Sequence, residues 1–255
     1  MRFSANLGFL FTELPLPQAI HAAKDAGFDA VECHFPYDVP AAEVAQALEE
    51  TGLTMLGLNT WPGDKAAGDF GLAAVTGREA EAQAAIRQAV EYAVATGTRA
   101  VHVMAGRTDG GEEAEATFRA NLAYACDVAA PHGITILIEP INTRDVPDYH
   151  LSRTDHAVRI IETLGKTNLK LMYDCYHMQI MQGDQAVHLR ALLPVIGHIQ
   201  IAAVPDRGEP DQGEVDYLWL MQQLDAMGYA APVGAEYKPR SDTLQGLGWL
   251  ARFRG

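Results

Sequence analysis

Four oxygen-bearing side chains stand at or near the ends of short apolar runs. Glu139 closes ITILIE, Asp174 closes LKLMYD, Gln200 lies in IGHIQIA and Glu236 in APVGAEY. A β-branched run built for burial should end on a charge only where that charge has a partner or a function, because an unpaired buried carboxylate is costly. Three carboxylates gathered in one low-dielectric pocket would repel strongly unless a cation neutralised them. Two Glu, one Asp and a Gln carbonyl form an all-oxygen set, which suits Mg2+ or Mn2+ better than a thiolate-seeking ion and leaves positions for substrate oxygens. Such a centre serves proton transfer at a carbon beside a carbonyl, with Glu139 and Glu236 as the proton-transferring pair and the ion easing enediolate formation. Return of the proton to the adjacent carbon gives aldose–ketose isomerisation, and return to the other face gives epimerisation. Spacing alone does not separate the two.

Further residues fall near these four. His177, three positions past Asp174, and Arg207, in the segment after IGHIQIA, are placed to hold a carboxylate or hydroxyl of the substrate. His102, in VHVMAG, reads equally as a pocket wall, a substrate hydrogen-bond donor or a core histidine. Lys238, in EYKPR, either adds positive field to the site or is solvated, and His198 reads as structural. The Glu32-Cys33-His34 trio lacks the four-ligand spacing of a zinc site. Taken singly, a carboxylate at a strand end is as readily a helix cap or a loop salt bridge, so the argument rests on the four together.

The elements that must position them alternate regularly. Strand-like runs occupy 2–8, 29–33, 54–59, 99–104, 134–139, 169–174, 196–202 and 231–237, and segments with a helical period lie between them. Glycine follows the last periodic residue at Gly27, Gly52, Gly97, Gly133, Gly165 and Gly228, which marks helix ends. Ser152 with Asp155 has the spacing of a capping box ahead of AVRIIETLG. Apolar strands each followed by a crossover helix indicate a parallel sheet covered by helices, and eight such units in 255 residues fit one closed (β/α)8 TIM barrel, an α/β fold spanning 1–255 as a single domain. Active sites of that fold sit at the C-terminal ends of the strands, where the four residues stand. The longest irregular stretch, 60–77, reads as an excursion over the barrel mouth.

Composition excludes several classes. The formal net charge is −14, from 33 acidic and 19 basic residues, so a nucleic-acid backbone would meet net repulsion. A small anionic substrate would need locally placed cationic groups. Cys33, Cys126 and Cys175 form no disulfide framework, which points to a cytoplasmic setting. No apolar run approaches membrane-spanning length, and the start, MRFSANLGFLFTELPLP, lacks the pattern of a signal peptide. No Gly-rich nucleotide-binding motif stands in a strand-to-helix context, and no lysine stands at a strand end for Schiff-base chemistry. Ala-rich outer helices could pack against a second copy, so a homo-oligomer is open.

The motifs NLGFLFTELP, AGFDAVECHFPY, VHVMAG, IEPINTRDVPDYHL, YDCYHMQIMQGD, GHIQIAAVPDRGEP and GAEYKPR, spread over the whole chain, resemble the hydroxypyruvate isomerase family of the xylose isomerase-like TIM barrels. Relatives of that family include 2-oxo-tetronate isomerases and ketose 3-epimerases. The resemblance implies Glu139 and Glu236 as the proton-transfer pair, a metal shell of Glu139, Asp174, Gln200 and Glu236, and substrate contacts from His177 and Arg207. Gln200 departs from the histidine of the sugar epimerases and matches the hydroxypyruvate group. Interconversion of hydroxypyruvate and 2-hydroxy-3-oxopropanoate is the implied reaction, and the 2-oxo-tetronate isomerases differ mainly around the fifth strand. Two other classes are open: an abasic-site endonuclease of the same superfamily, which would need more histidine ligands and a basic track, and a non-catalytic metal-binding scaffold barrel.

Overall fold

The computed structural model describes residues 1–254. Eight strands, β1 (Phe3–Asn6), β2 (Ala30–Glu32), β3 (Gly57–Asn59), β4 (Ala100–His102), β5 (Thr135–Ile138), β6 (Leu169–Asp174), β7 (Ile196–Ile201) and β8 (Val233–Ala235), each fall inside a run that the sequence marks as strand. All neighbouring pairs are parallel, in the order β2-β1-β8-β7-β6-β5-β4-β3. The two ends of that order meet: Val31 bridges Met55, and the amide of Cys33 donates to the carbonyl of Gly57 at 3.1 Å. A closed barrel results, the α/β TIM barrel that the alternation predicts. Its strands are short and almost wholly buried because side chains on one face fill the barrel while those on the other pack beneath the helices.

The outer layer is α1 (Leu16–Asp25), α2 (Ala41–Thr51), α3 (Glu79–Thr96), α4 (Gly111–Ala129), α5 (Thr154–Leu164), α6 (Cys175–Met181), α7 (Gln185–Leu192), α8 (Tyr217–Ala226) and α9 (Gly248–Arg254). Their apolar stripes face the strands; α5, for example, buries Ala157, Ile160 and Ile161. Trp249 of α9 stacks edge-on against Phe3 of β1 at 5.2 Å and donates Nε1–H to the Tyr237 hydroxyl at 3.1 Å, so the end of the chain seals the seam between β1 and β8.

Two local expectations change. Ser152 does not cap α5: Arg153 occupies the cap position with no side-chain bond to the helix backbone, and the amide and hydroxyl of Thr154 both donate to Oε1 of Gln182 at 3.0 Å. A partner from a distant loop has replaced the local box. The extra helix α6 starts directly from β6, with Asp174 as its cap accepting from the Tyr176 amide at 2.8 Å. This sharp exit carries His177 back over the barrel mouth.

The 60–77 segment folds onto the rim. Asp64 caps a short 3-10 turn, Lys65–Ala67, and Gly71 pairs with Ala105 beyond β4. Gly71 has φ +112°, and a Cβ there would lie 2.7 Å from the Gly106 amide, so only glycine permits the approach. Arg78 pins the loop by donating to both oxygens of Asp69 at 2.8 Å. No helix among the described residues is long and apolar enough to cross a membrane.

Candidate active site

A pocket of about 220 Å³ opens at the C-terminal ends of the strands, lined by Glu139, Glu236, His177, His102 and Arg207. The fold explains the convergence. Glu139 immediately follows β5, Asp174 ends β6, Gln200 lies on β7 and Glu236 immediately follows β8. Asp174 pairs with Gln200, and Gln200 with Gly234, so the three last strands present polar groups at neighbouring levels. A Cβ at Gly234 would stand 2.5 Å from Oε1 of Glu32 and 2.8 Å from Cγ of Gln200; the missing side chain is what gives this polar layer room.

Glu139, Asp174 and His177 form one buried group. Their ligating atoms lie within 4.8 Å of one another. Nε2 of His177 is 3.6 Å from Oε1 of Glu139 and 3.5 Å from Oδ2 of Asp174, while Nδ1 of His102 is 3.5 Å from Oε2 of Glu139. Burial, reinforced by the Glu236 and Asp174 carboxylates, pushes Glu139 well above the usual carboxylate range, although the Arg207 charge opposes it. Burial likewise lifts Asp174 to about 7 against the pull of Arg207. His102 is pushed down by burial to about 3, and burial with the Arg207 charge pushes His177 well below its ordinary value. Both imidazoles are therefore neutral.

The tautomer of His177 follows from Asn142. The backbone amide of Asp145 donates to the Asn142 carbonyl oxygen at 2.8 Å, and Nδ2 of Asn142 donates to Asp145 at 3.1 Å. The same Nδ2 and the Asn142 backbone amide point at Nδ1 of His177, at 2.6 and 3.3 Å. Nδ1 is thus an acceptor, Nε2 carries the proton, and His177 presents an N–H to the carboxylates rather than a lone pair.

Glu236 lies in the opposite electrostatic setting. Oε1 accepts from His34 at 2.7 Å and from Asn6 at 3.0 Å, and Oε2 accepts from Arg207 at 3.0 Å. Burial alone would raise its pKa, but the guanidinium of Arg207 and the His34 hydrogen bond hold it at about 2. Arg207 also reaches Asp174 at 3.4 Å and sits between the rings of Phe9 and Tyr176, 5.1 and 4.9 Å from their centroids. Its backbone is left-handed at φ +57°, a conformation unusual outside glycine that turns the side chain inward.

Below this layer lies a charge that spacing did not single out. Glu32, 3% exposed at the end of β2, accepts from His198 at 2.5 Å, Gln200 at 3.1 Å and Asn6 at 3.3 Å. Burial would lower the pKa of His198, and the Glu32 carboxylate reverses this and raises it. His198, read from sequence as structural, belongs to this support. His34 and Asn6 were also missed. Lys238 is exposed, outside the pocket lining, its Nζ 5.8 Å from the Phe9 ring, because the chain turns outward just after Glu236. Lys65 from the 60–77 loop is the lysine that lines the pocket, 4.4 Å over the ring of Phe35. A larger open groove of about 780 Å³ between that loop and α3 contains none of the buried carboxylates.

The donor chemistry fits a divalent cation. Oε1 of Glu139 and Oε1 of Gln200 are buried without a hydrogen-bond partner among the described residues, although buried polar atoms are nearly always paired. Asp174 lies beside Glu139 with ligating atoms within 4.8 Å and pairs with Gln200 across β6 and β7, and a cation would relieve the repulsion between the two carboxylates.

The chain belongs to the xylose isomerase-like TIM barrel family, whose model matches residues 20–253. It is 47% identical over 257 residues to the 2-oxo-tetronate isomerase of Cupriavidus necator, covering 100% of this chain and 99% of that one. The hydroxypyruvate isomerase of Escherichia coli is 39% identical over 257 residues, with 100% of both chains covered. The solved structure of an AP endonuclease, family 2, from Brucella melitensis superposes with a TM-score of 0.95 at 42% identity, covering 100% of this chain and 99% of that one.

Proposed function

We propose that the protein is an isomerase that moves the carbonyl of a short 2-oxo-3-hydroxy acid to the neighbouring carbon, with 2-oxo-tetronate as its substrate. The observation that carries the reaction class is the placement of two glutamates, Glu139 after β5 and Glu236 after β8, lining one buried pocket. Glu236, held ionised by Arg207, accepts a proton from one substrate carbon. Glu139 returns a proton to the adjacent carbon, while the hydroxyl proton of the first carbon passes to the former carbonyl oxygen of the second, so the carbonyl shifts with no net change in composition. His177 donates Nε2–H to a substrate oxygen, and Arg207 and Lys65 offset the substrate carboxylate in a protein whose net charge is −14.

Glu139, Asp174, Gln200 and Glu236 would hold Mg2+ or Mn2+, with His177 kept out of the shell by its proton. Such an ion would supply Lewis-acid stabilisation of the negative charge that develops on the substrate oxygens. The four-carbon acid is preferred because the Cupriavidus necator relative is the more similar of the two named isomerases. Hydroxypyruvate is the second reading, supported by similarity to the Escherichia coli protein; it undergoes the same carbonyl shift and lacks only the terminal CH2OH. DNA cleavage is disfavoured by the acidic surface charge.

The test compares kcat/KM for 2-oxo-tetronate, hydroxypyruvate and a neutral ketose with one Mn2+-loaded preparation. The four-carbon acid should lead by at least tenfold. A higher value for hydroxypyruvate would move the assignment to the three-carbon acid, and a higher value for the ketose would overturn the acid substrate class.

A further inference from the structure

On the outer face of the barrel, away from the pocket, α4, the loop after β5 and α5 each contribute one ligand-type side chain to a single point. Glu115 of α4, His150 of the loop and His156 of α5 have ligating atoms within 4.8 Å of one another. Both imidazoles aim Nε2 at the same oxygen, Oε2 of Glu115, from 3.2 Å for His150 and 2.8 Å for His156. Two ligands of one tetrahedral zinc ion lie roughly 3.4 Å apart, given bonds of about 2.0–2.1 Å, so these separations need little adjustment.

Both ring nitrogens of His150 face an oxygen. Thr108 Oγ1 accepts from the Gly110 amide at 3.1 Å and stands 2.9 Å from Nδ1 of His150, able to donate its O–H to that nitrogen or to accept an N–H from it. An imidazole whose outer nitrogen donates to a fixed oxygen presents a lone pair at its inner nitrogen, which is how metal-ligating histidines are normally held. Without a metal, Nε2–H of His150 donates to Oε2 of Glu115; a cation would take the place of that proton, with the N–H moving to Nδ1 and Thr108 there to accept it. The ring is further fixed edge-on against Phe118 at 5.4 Å. Arg119 approaches Oε1 of Glu115 at 3.7 Å and leaves Oε2 to the histidines.

We propose that Glu115, His150 and His156 form a second metal site, selective for an imidazole-seeking divalent ion of the zinc type. Two nitrogens and one oxygen suit zinc better than Mg2+, which separates this site from the oxygen-rich pocket. The site ties the far end of the β5–α5 loop to two outer helices. The near end of the same loop carries Asn142, which sets the His177 proton, and Ile141, which lines the pocket. Zinc here acts as a staple on a segment whose other end serves the candidate active site.

Zinc titrations of the metal-stripped full chain, followed by calorimetry and by thermal unfolding, test this without reference to turnover. The parent should bind two zinc equivalents, one at each centre, and Asp174→Asn, which disables the pocket cluster, should keep one and serves as the background for the variants below. Glu115→Gln, which keeps hydrogen-bonding capacity for both histidines, and His156→Ala should each weaken that equivalent at least tenfold and abolish the zinc-dependent rise in Tm. Co2+ in its place should give visible absorption bands in Asp174→Asn that Glu115→Gln loses. The proposal is overturned if Asp174→Asn removes all zinc binding, if the parent binds no zinc, or if Glu115→Gln and His156→Ala in that background bind as Asp174→Asn alone does.

Discussion

Gln200 donates Nε2–H to Oε1 of Glu32 at 3.1 Å, and this bond decides which end of the Gln200 amide is left for a cation. A carboxylate has only acceptors, so it fixes the NH2 group toward itself and leaves the carbonyl oxygen unpartnered. Glu32→Gln keeps the shape but introduces a donor, and the Gln200 amide can then turn over. Loss of such an outer support typically costs 10–100-fold. We expect Mn2+ affinity, measured by electron paramagnetic resonance, to fall within that range while far-UV circular dichroism is unchanged. Unchanged Mn2+ affinity in a folded variant would show that Glu32 supports the fold alone.

Metal removal should make stability fall with pH. Asp174 is raised from 3.8 to about 7, and Glu139 is raised as well. A carboxylate whose folded pKa exceeds its unfolded one binds more protons when folded, so its contribution is present below about 4 and is lost as pH rises through about 7. Glu236, lowered to about 2, acts in the opposite sense only below its ordinary 4.5. Buried His102 and His177, both pushed below their ordinary 6.5, also oppose the carboxylate effect up to about that pH, so it governs between pH 6.5 and pH 7.5. The Tm of the metal-stripped protein should drop by a few °C across that interval, and Asp174→Asn should flatten the slope. Added Mn2+ should raise Tm more at pH 7.5 than at pH 6.5. A flat or rising profile in metal-stripped protein would contradict the burial of unneutralised carboxylates.

The two lysines near the pocket should behave differently. Both are exposed, but Lys65 lines the pocket over the Phe35 ring, whereas Lys238 lies outside the lining, 5.8 Å from the Phe9 ring. Removing a charge-assisted contact made equally to substrate and transition state raises KM and spares kcat. Lys65→Met should therefore raise KM for the acid substrate about tenfold, and Lys238→Met should change it less than twofold. Equal effects, or a larger one for Lys238→Met, would relocate the carboxylate contact to the outer rim.

The parts of this arrangement that were legible in the sequence are those that depend on one strand at a time. ITILIE and LKLMYD announce both a buried strand and the carboxylate at its end, and the strand–helix alternation orders those ends on one rim. The helix glycines likewise act locally. What depends on closure of the barrel was not legible. Glu32 meets His198 and Gln200 across 166 and 168 residues, and His34 meets Glu236 across 202, so no local spacing links them. A buried glutamate at the end of AVE was a signal of the same kind as Glu139, but its short strand and the adjacent Cys33 and His34 directed attention to zinc. Lys65 was hidden because its position depends on how the 60–77 loop folds back through Gly71. Ser152 failed as a cap because Gln182, 28 residues beyond Thr154, supplies the acceptor.

Proton transfer between Glu139 and Glu236 is most directly tested by proton NMR of 2-oxo-tetronate and of hydroxypyruvate in D2O, with metal-stripped protein before and after Mn2+ addition and chelation of the ion ahead of acquisition. Formation of the 2-hydroxy-3-oxo isomer only after Mn2+, with deuterium entering C2 and with both signals lost in folded Glu139→Gln and Glu236→Gln, is the expected result. Isomer formation that survives in either variant at the parent rate, or that proceeds without deuterium entering the carbon skeleton, would contradict it.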